Sequence, residues 1–354
     1  MIELRSATGH ITIDPSVGNI PALTFQWGGQ TLTPLHRAAW AEEPDALADE
    51  SIPLVDRKLS GDFVCAPFAG SDVEPAPPHG WTANSPWSVI ETTDAEARFQ
   101  LDLRVMGAVI AKTIRLSDNA PLLVQSHTIE GGSGGLTFAH HPMISVAGGA
   151  RFACSPKRAV LTPDLPIVEG RHAFALGARS EDVRSVPGQN GDPIDLRYLP
   201  ISDGTEDFVT LVEAEGSTLG WSAVTRHAEN DIIFVLRDPE MLPVTMLWHS
   251  NGAREDFPWN GRNRGVLGVE DGRAAGAAGH AAALRDNPVQ TEGVPTSFAL
   301  SAQTTHTIRL VIGAVPRPVG WTTVTDIALE GEVLTIAGDG EDRVELPFDP
   351  SNLF

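Results

Sequence analysis

The chain has 354 residues, 42% of them hydrophobic, enough to build a sizeable core. Its 46 acidic residues against 25 basic ones give a net charge of −21, which disfavours nucleic acid and anionic membranes as partners. Cys65 and Cys154 are the only cysteines, so a disulfide framework and a cysteine-rich metal site are both excluded.

The first residues, "MIELRSATGHITIDP", lack the charged-then-apolar pattern of a signal peptide, and no apolar run approaches membrane-spanning length. The expectation is a soluble cytoplasmic protein with reduced thiols. "HITIDP" is the first of many short segments that alternate apolar and polar residues and read as strands. "LHRAAWAEEPDALADES" holds one or two short helical turns.

Next comes "GDFVCAPFAGSD", an apolar stretch punctuated by Gly61, Pro67 and Gly70. It leads into "PPHGWTANSPW", a rigid proline-rich loop that carries His79 between prolines and two tryptophans, Trp81 and Trp87. A tryptophan there can stack on the apolar face of a sugar ring, or simply cap the end of a sandwich. "ARFQLDLRVMGAVIAKTIRLSDNAPLLVQSHTIEG" then reads as a meander of consecutive antiparallel strands.

In "FAHHPMISV", the adjacent His140 and His141 point to opposite faces of a strand, so only one enters a given cleft. His141 is the better candidate because the residue before a proline is held extended. A histidine titrates near pH 6.5 and suits general acid work, although it also satisfies buried hydrogen bonds. "SVPGQNGDPIDLRYLP" is the best candidate boundary, but similar strands, "DIIFVLRD" and "VTMLWHS", resume after it.

The most unusual stretch is "LWHSNGAREDFPWNGRNRGVLGVEDG". It gathers Trp248, His249, Trp259, Arg262 and Arg264 around glycine turns and ends on Glu270 and Asp271 after an apolar strand. A carboxylate at such a strand's end can serve as a general base; its bland counterpart is a solvated turn with paired arginines. "DGRAAGAAGHAAALRDNP" is alanine-rich, but its glycines each cost about 1 kcal/mol in a helix, so a short helix or an irregular crossing is expected. "HTIRLVIG" and "EVLTIAG" close the strand pattern.

No strand–helix alternation argues for a Rossmann or TIM architecture, and no fixed-period repeat stands out. The expected fold is all-β: one domain over residues 1–354, a large antiparallel β-sandwich with few short helices. No HExxH, CxxC, calcium loop, phosphate loop or GxSxG elbow occurs, so no metal site is expected.

In order along the chain, "GDFVCAPFAG", "HGW…PW", "HHP" and "GVED" resemble the aldose 1-epimerase (galactose mutarotase-like) family. The resemblance spans roughly Gly61 to Asp271 and implies that family's supersandwich fold. It implies a cofactor-independent isomerase that interconverts the α and β anomers of a free aldose, a small-molecule sugar. By that resemblance, His79 hydrogen-bonds the sugar, His141 is the acid that protonates the ring oxygen, and Glu270 is the base at the C1 hydroxyl. Trp81, His249, Trp259 and Arg262 are the expected substrate-binding residues. Where the family often has an arginine after its first strand, "AGSD" has Ser71 and Asp72.

Two alternatives stand beside this. One is a hexose 6-phosphate epimerase, in which Arg151, Lys157, Arg158, Arg262 and Arg264 supply the phosphate site. The other is a carbohydrate-binding sandwich without catalysis.

Overall fold

The alternating strands pair into two large antiparallel sheets. The computed structural model describes all residues, Met1–Phe354. The meander Trp87–Thr92, Glu96–Leu101, Ala108–Leu116 and Leu122–Gly131 forms one side of a nine-stranded sheet. Thr305–Pro316, Asp231–Arg237, Gly220–Arg226, Ala150–Cys154 and Tyr198–Leu199 extend it in that order. The second sheet has eight strands, with Glu206–Glu213, Val244–Ser250, Val266–Arg273 and Phe138–His140 side by side at its centre. The all-β sandwich expected from the sequence is the observed fold.

The side-chain period of two explains where the core lies. On the eight-stranded sheet, Val209, Leu211, Leu247, Leu267 and Val269 point inward and meet Ile110, Ile233, Val235 and Leu310 of the other sheet. Burying each such side chain contributes roughly 1.5–3 kcal/mol, so this inter-sheet layer dominates the stability of the molecule. A smaller N-terminal sheet adds Ile11, Ile13 and Phe25 to the same cluster.

The outer faces are covered too, which is why the central strands read as nearly continuous apolar runs. A three-stranded sheet, Val324–Glu330, Val333–Gly338 and Arg343–Pro347, packs with Trp321 on the outside of the nine-stranded sheet. On the outside of the eight-stranded sheet, Met246, Trp248 and Phe208 pack under Trp40, Val55 and Leu59. That covering segment holds two helical turns, Pro44–Ala48 and Leu54–Arg57. The alanine-rich stretch breaks into a 3₁₀ turn, Gly276–Ala278, and short helices His280–Ala283 and Pro288–Thr291. Both cysteines are free thiols.

Candidate active site

The same parity decides what faces the covered outer side of the eight-stranded sheet. Within Val266–Arg273, Val269 and Asp271 point inward, so Glu270 points outward. Asp271 is occupied inside the sandwich, where the Thr245 hydroxyl donates to it at 2.6 Å and Arg237 Nε lies 3.2 Å away. Gly268, on the same face as Glu270, makes room for it, since a Cβ there would sit 2.8 Å from Glu270 Oε1.

His140 and His141 divide as two neighbours on an extended chain must. His140 turns inward against His127, with ring centroids 4.7 Å apart. His141 turns outward, and its Nε2 lies 3.0 Å from Glu270 Oε1. Its backbone N–H donates to Phe63 O at 2.9 Å and to the Asp62 carboxylate at 3.1 Å, and its ring stacks on Phe63 at 4.5 Å. The imidazole is therefore fixed both along the chain and across its face.

His79 arrives from the proline-rich loop, with its ring edge-on to His141 at 5.5 Å. Its Nδ1 is 3.3 Å from Cys65 Sγ, and its other ring nitrogen has no hydrogen bond within the chain. The loop is under backbone strain: His79 has φ +64°, in the region that favours glycine. Gly80 follows at φ +72°, and a Cβ there would lie 2.2 Å from the Ala66 carbonyl oxygen, so only glycine fits.

These groups line a cavity of about 160 Å³, walled by Phe63, Phe68, Phe208, Trp248 and Trp259. Trp40 ties the covering segment to it, donating from Nε1 to Asp56 O at 2.8 Å and packing on Trp259 with centroids 4.7 Å apart. Three charged residues that the sequence reading passed over belong here. Glu206, fully buried, accepts from Trp248 Nε1 at 2.9 Å and from Arg254 at 3.0 and 2.7 Å. Arg254 also lies over the Trp259 ring at 4.3 Å and faces the cavity. Asp56 lines it from the helical turn Leu54–Arg57, and its carboxylate has no hydrogen bond within the chain.

Burial and neighbouring charge set the protonation states. Burial works against the imidazolium of His141, but the charge and hydrogen bond of Glu270 outweigh it and raise its pKa above the usual imidazole value. His79 is pushed down to about 3 by burial, with the positive His141 and Arg254 adding to the effect, so it is neutral. Burial raises Asp56 to about 6 against the pull of Arg254. The result is a His141 whose charged form is favoured, beside a neutral His79.

Of the residues expected to bind a ligand, Trp259 lines the cavity, whereas Trp81, His249 and Arg262 do not. Trp81 starts a 3₁₀ turn and packs on the inter-sheet core, while Trp87 is buried with its Nε1 donating to Thr82 O. His249 faces inward because its neighbour Trp248 faces out; burial holds its pKa at about 3, against Phe174. Arg262 is spent at the surface on Glu43, with N–O distances of 2.6 and 3.0 Å. Ser71 donates to Pro77 O within its own loop, and Asp72 accepts from the Ala281 N–H of the short helix His280–Ala283.

Parity offered one signal that was available: a strand carrying both Trp248 and His249 shows only one of them to the cleft. Nothing in the spacing marks Arg254, Glu206 or Asp56, which come from a loop, another strand and a helical turn. Their meeting is a property of the fold alone.

No protein-family model and no curated protein matches the sequence. Solved structures do match in fold. A galactose mutarotase-like protein from Lactobacillus casei superposes with a TM-score of 0.58 at 13% identity, covering 89% of this chain and 100% of its own. A galactose mutarotase-like protein from Clostridium acetobutylicum gives 0.58 at 13%, covering 89% and 94%. A galactose mutarotase related enzyme from Lactobacillus acidophilus gives 0.56 at 12%, covering 90% and 98%. At such identities the likeness establishes the galactose mutarotase-like sandwich and nothing finer.

Proposed function

We propose that the chain is a cofactor-independent aldose 1-epimerase acting on a neutral, free sugar. The observation that carries this is the contact between His141 and Glu270 in the cavity, with neutral His79 beside them. The contact with Glu270 favours the protonated form of His141 and sets a carboxyl group beside it, the acid and the base that ring opening needs. The C1 hydroxyl and the ring oxygen share one carbon, so an acid and a base this close serve both ends of one hemiacetal.

In the proposed reaction the sugar enters between the pair. Glu270 takes the proton of the C1 hydroxyl while the C1–O5 bond breaks, and His141 donates its proton to O5. The products are the open-chain aldehyde, neutral His141 and protonated Glu270. Rotation about the C1–C2 bond presents the other carbonyl face. Closure then reverses both proton transfers: His141 recovers the O5 proton, and Glu270 returns one to the new C1 hydroxyl. No electrons leave the system, and every proton is accounted for. His79 and Arg254 are positioned to donate hydrogen bonds to sugar oxygens, Asp56 to accept from hydroxyls, and Trp248 and Trp259 to cover an apolar ring face.

A phosphorylated substrate fits less well. Arg254, the cation in the cavity, is already matched by Glu206. Lys157 is buried on Glu213, Arg158 bonds the carbonyl oxygens of Glu213 and Glu292, and Arg151 lies over Tyr198. Arg264 pairs with Asp203. Lys157, Arg158, Arg151 and Arg264 all lie outside the cavity's lining.

The test is the polarimetric rate of α-to-β interconversion for freshly dissolved glucose and galactose, followed by a panel of other aldoses. Glu270→Gln and His141→Asn are each expected to lower kcat/KM by about 10²–10⁴-fold, the usual contribution of general acid–base catalysis. Wild-type rates no faster than buffer for every aldose would leave a carbohydrate-binding protein as the better reading.

A further inference from the structure

The cavity at His141 and Glu270 does not end at its own walls. Ile167, Phe208 and Ala277 line it and also line a second cavity of about 340 Å³. The second shares Leu161, Thr162, Asp164 and Pro288 with a third, shallower concavity of about 490 Å³. The three adjoin one another along the outer face of the eight-stranded sheet, a row of concavities forming a groove with His141 and Glu270 at one end.

The second cavity has the mixed lining of a sugar subsite. Leu161, Ile167, Phe208 and Val289 give it apolar walls. Among them stands the Thr210 hydroxyl, on a residue only 4% exposed and without a hydrogen-bond partner in the chain. Parity puts Thr210 on the same face as Phe208, so it is aimed into the cavity. That hydroxyl opens onto the cavity and makes no hydrogen bond within the chain, so a ligand hydroxyl can reach it. The Asp164 carboxylate is also free of partners within the chain.

Beyond it the groove becomes more polar, with Asp286, Asn287, Thr291 and the Arg179–Glu292 ion pair around the third concavity. An acyl chain would want the reverse gradient. An acidic substituent would meet Asp164, Asp286 and Glu292, with Arg179 already paired.

We propose that the groove takes the reducing end of a neutral oligosaccharide, with the reducing unit at His141 and Glu270 and the next sugar unit in the second cavity. This rests on the epimerase reading above. The attached unit must be linked through a carbon other than C1, because ring opening needs the free anomeric hydroxyl.

The experiment compares kcat/KM for anomer interconversion of glucose with that of its 4-O- and 6-O-linked glucosyl disaccharides, following the reducing-end anomeric protons by NMR. At least one disaccharide is expected to exceed glucose by tenfold or more. Ala278→Trp, at the rim of the second cavity alone, is expected to cut the disaccharide-to-glucose ratio by at least tenfold. Thr210→Val, which keeps shape and removes the hydroxyl, should cut that ratio severalfold, and it serves if the larger substitution disturbs folding. Glucose turned over as well as either disaccharide, or a ratio unmoved by both variants, overturns the subsite while leaving the epimerase standing. Absence of acceleration for glucose and disaccharides alike overturns both.

Discussion

At the residue scale, the proposed chemistry turns on how Glu270 tunes His141. Two opposed effects act on that imidazole: burial favours the neutral form, and the carboxylate 3.0 Å away favours the charged one. Glu270→Gln removes the second and leaves the first. The His141 pKa, followed by NMR titration of its ring protons, is therefore expected to fall from above the usual imidazole value of about 6.5 to below it. A pKa that stays raised in this variant would mean that Glu270 is not what holds the proton there. Asp56 offers a second titration. Its carboxyl, at about 6, binds a proton in the folded chain that the unfolded chain has already released near pH 4, so its burial makes folding less favourable as pH rises between those values. Asp56→Asn removes that contribution. Relative to wild type the variant is expected to gain up to about 3 kcal/mol of stability between pH 4 and pH 7, measured by urea unfolding at each pH. An unchanged difference across that range would place the Asp56 carboxylate in water.

At the scale of the strand, a single period-two rule sorts neighbours into different roles. It sends Glu270 to the cavity and Asp271 to the core, Trp248 out and His249 in, His141 out and His140 in. The division of the two adjacent histidines was readable from "HHP" because alternation needs no tertiary information. The same rule applies to Trp248 and His249. His249 is the residue expected to bind from the sequence, whereas the pairing of Trp248 with Gly268 in the neighbouring strand puts the indole beside Glu270. The proline-rich loop misled in the opposite sense. Its histidine reaches the cavity, but its tryptophans do structural work, packing on the inter-sheet core and under Lys112, whose Nζ lies 4.1 Å from the Trp87 ring centre. The contrast is measurable. Trp248→Phe is expected to lower kcat/KM for the preferred aldose by tenfold or more, and Trp81→Phe by less than twofold while lowering the melting temperature. Equal activity losses in the two variants would argue against the indole of Trp248 as a sugar platform.

At the scale of the whole molecule, the sandwich was legible because a large antiparallel β-protein repeats one local signal many times. The meander from Trp87 to Gly131 can be followed residue by residue in the alternation, and it appears in the same order in the nine-stranded sheet. The site was legible only where it sits on that periodic framework. His141 and Glu270 are on or beside strands, whereas Asp56 and Arg254 come from segments with no period, folded over the outer face of the eight-stranded sheet. What fixes them is long-range packing: Trp40 on Trp259, Arg262 on Glu43, and Arg254 on Glu206 and Trp259. A sequence shows such residues but not their partners, which is why Arg262 is expected in the site from the sequence and Arg254 is not. The position of the cavity, outside one sheet and under a covering segment, also explains how it can open into a groove without interrupting the core between the sheets.

The central claim is acid–base opening of a sugar ring, and its most direct measurement is anomer exchange at equilibrium. Exchange spectroscopy on the α and β anomeric protons of glucose, galactose and further aldoses, with and without the protein, reads the reaction without a coupled assay. Protein-dependent exchange that disappears in both Glu270→Gln and His141→Asn is the expected result. Exchange indistinguishable from buffer for every sugar, or exchange that survives both substitutions, would contradict it.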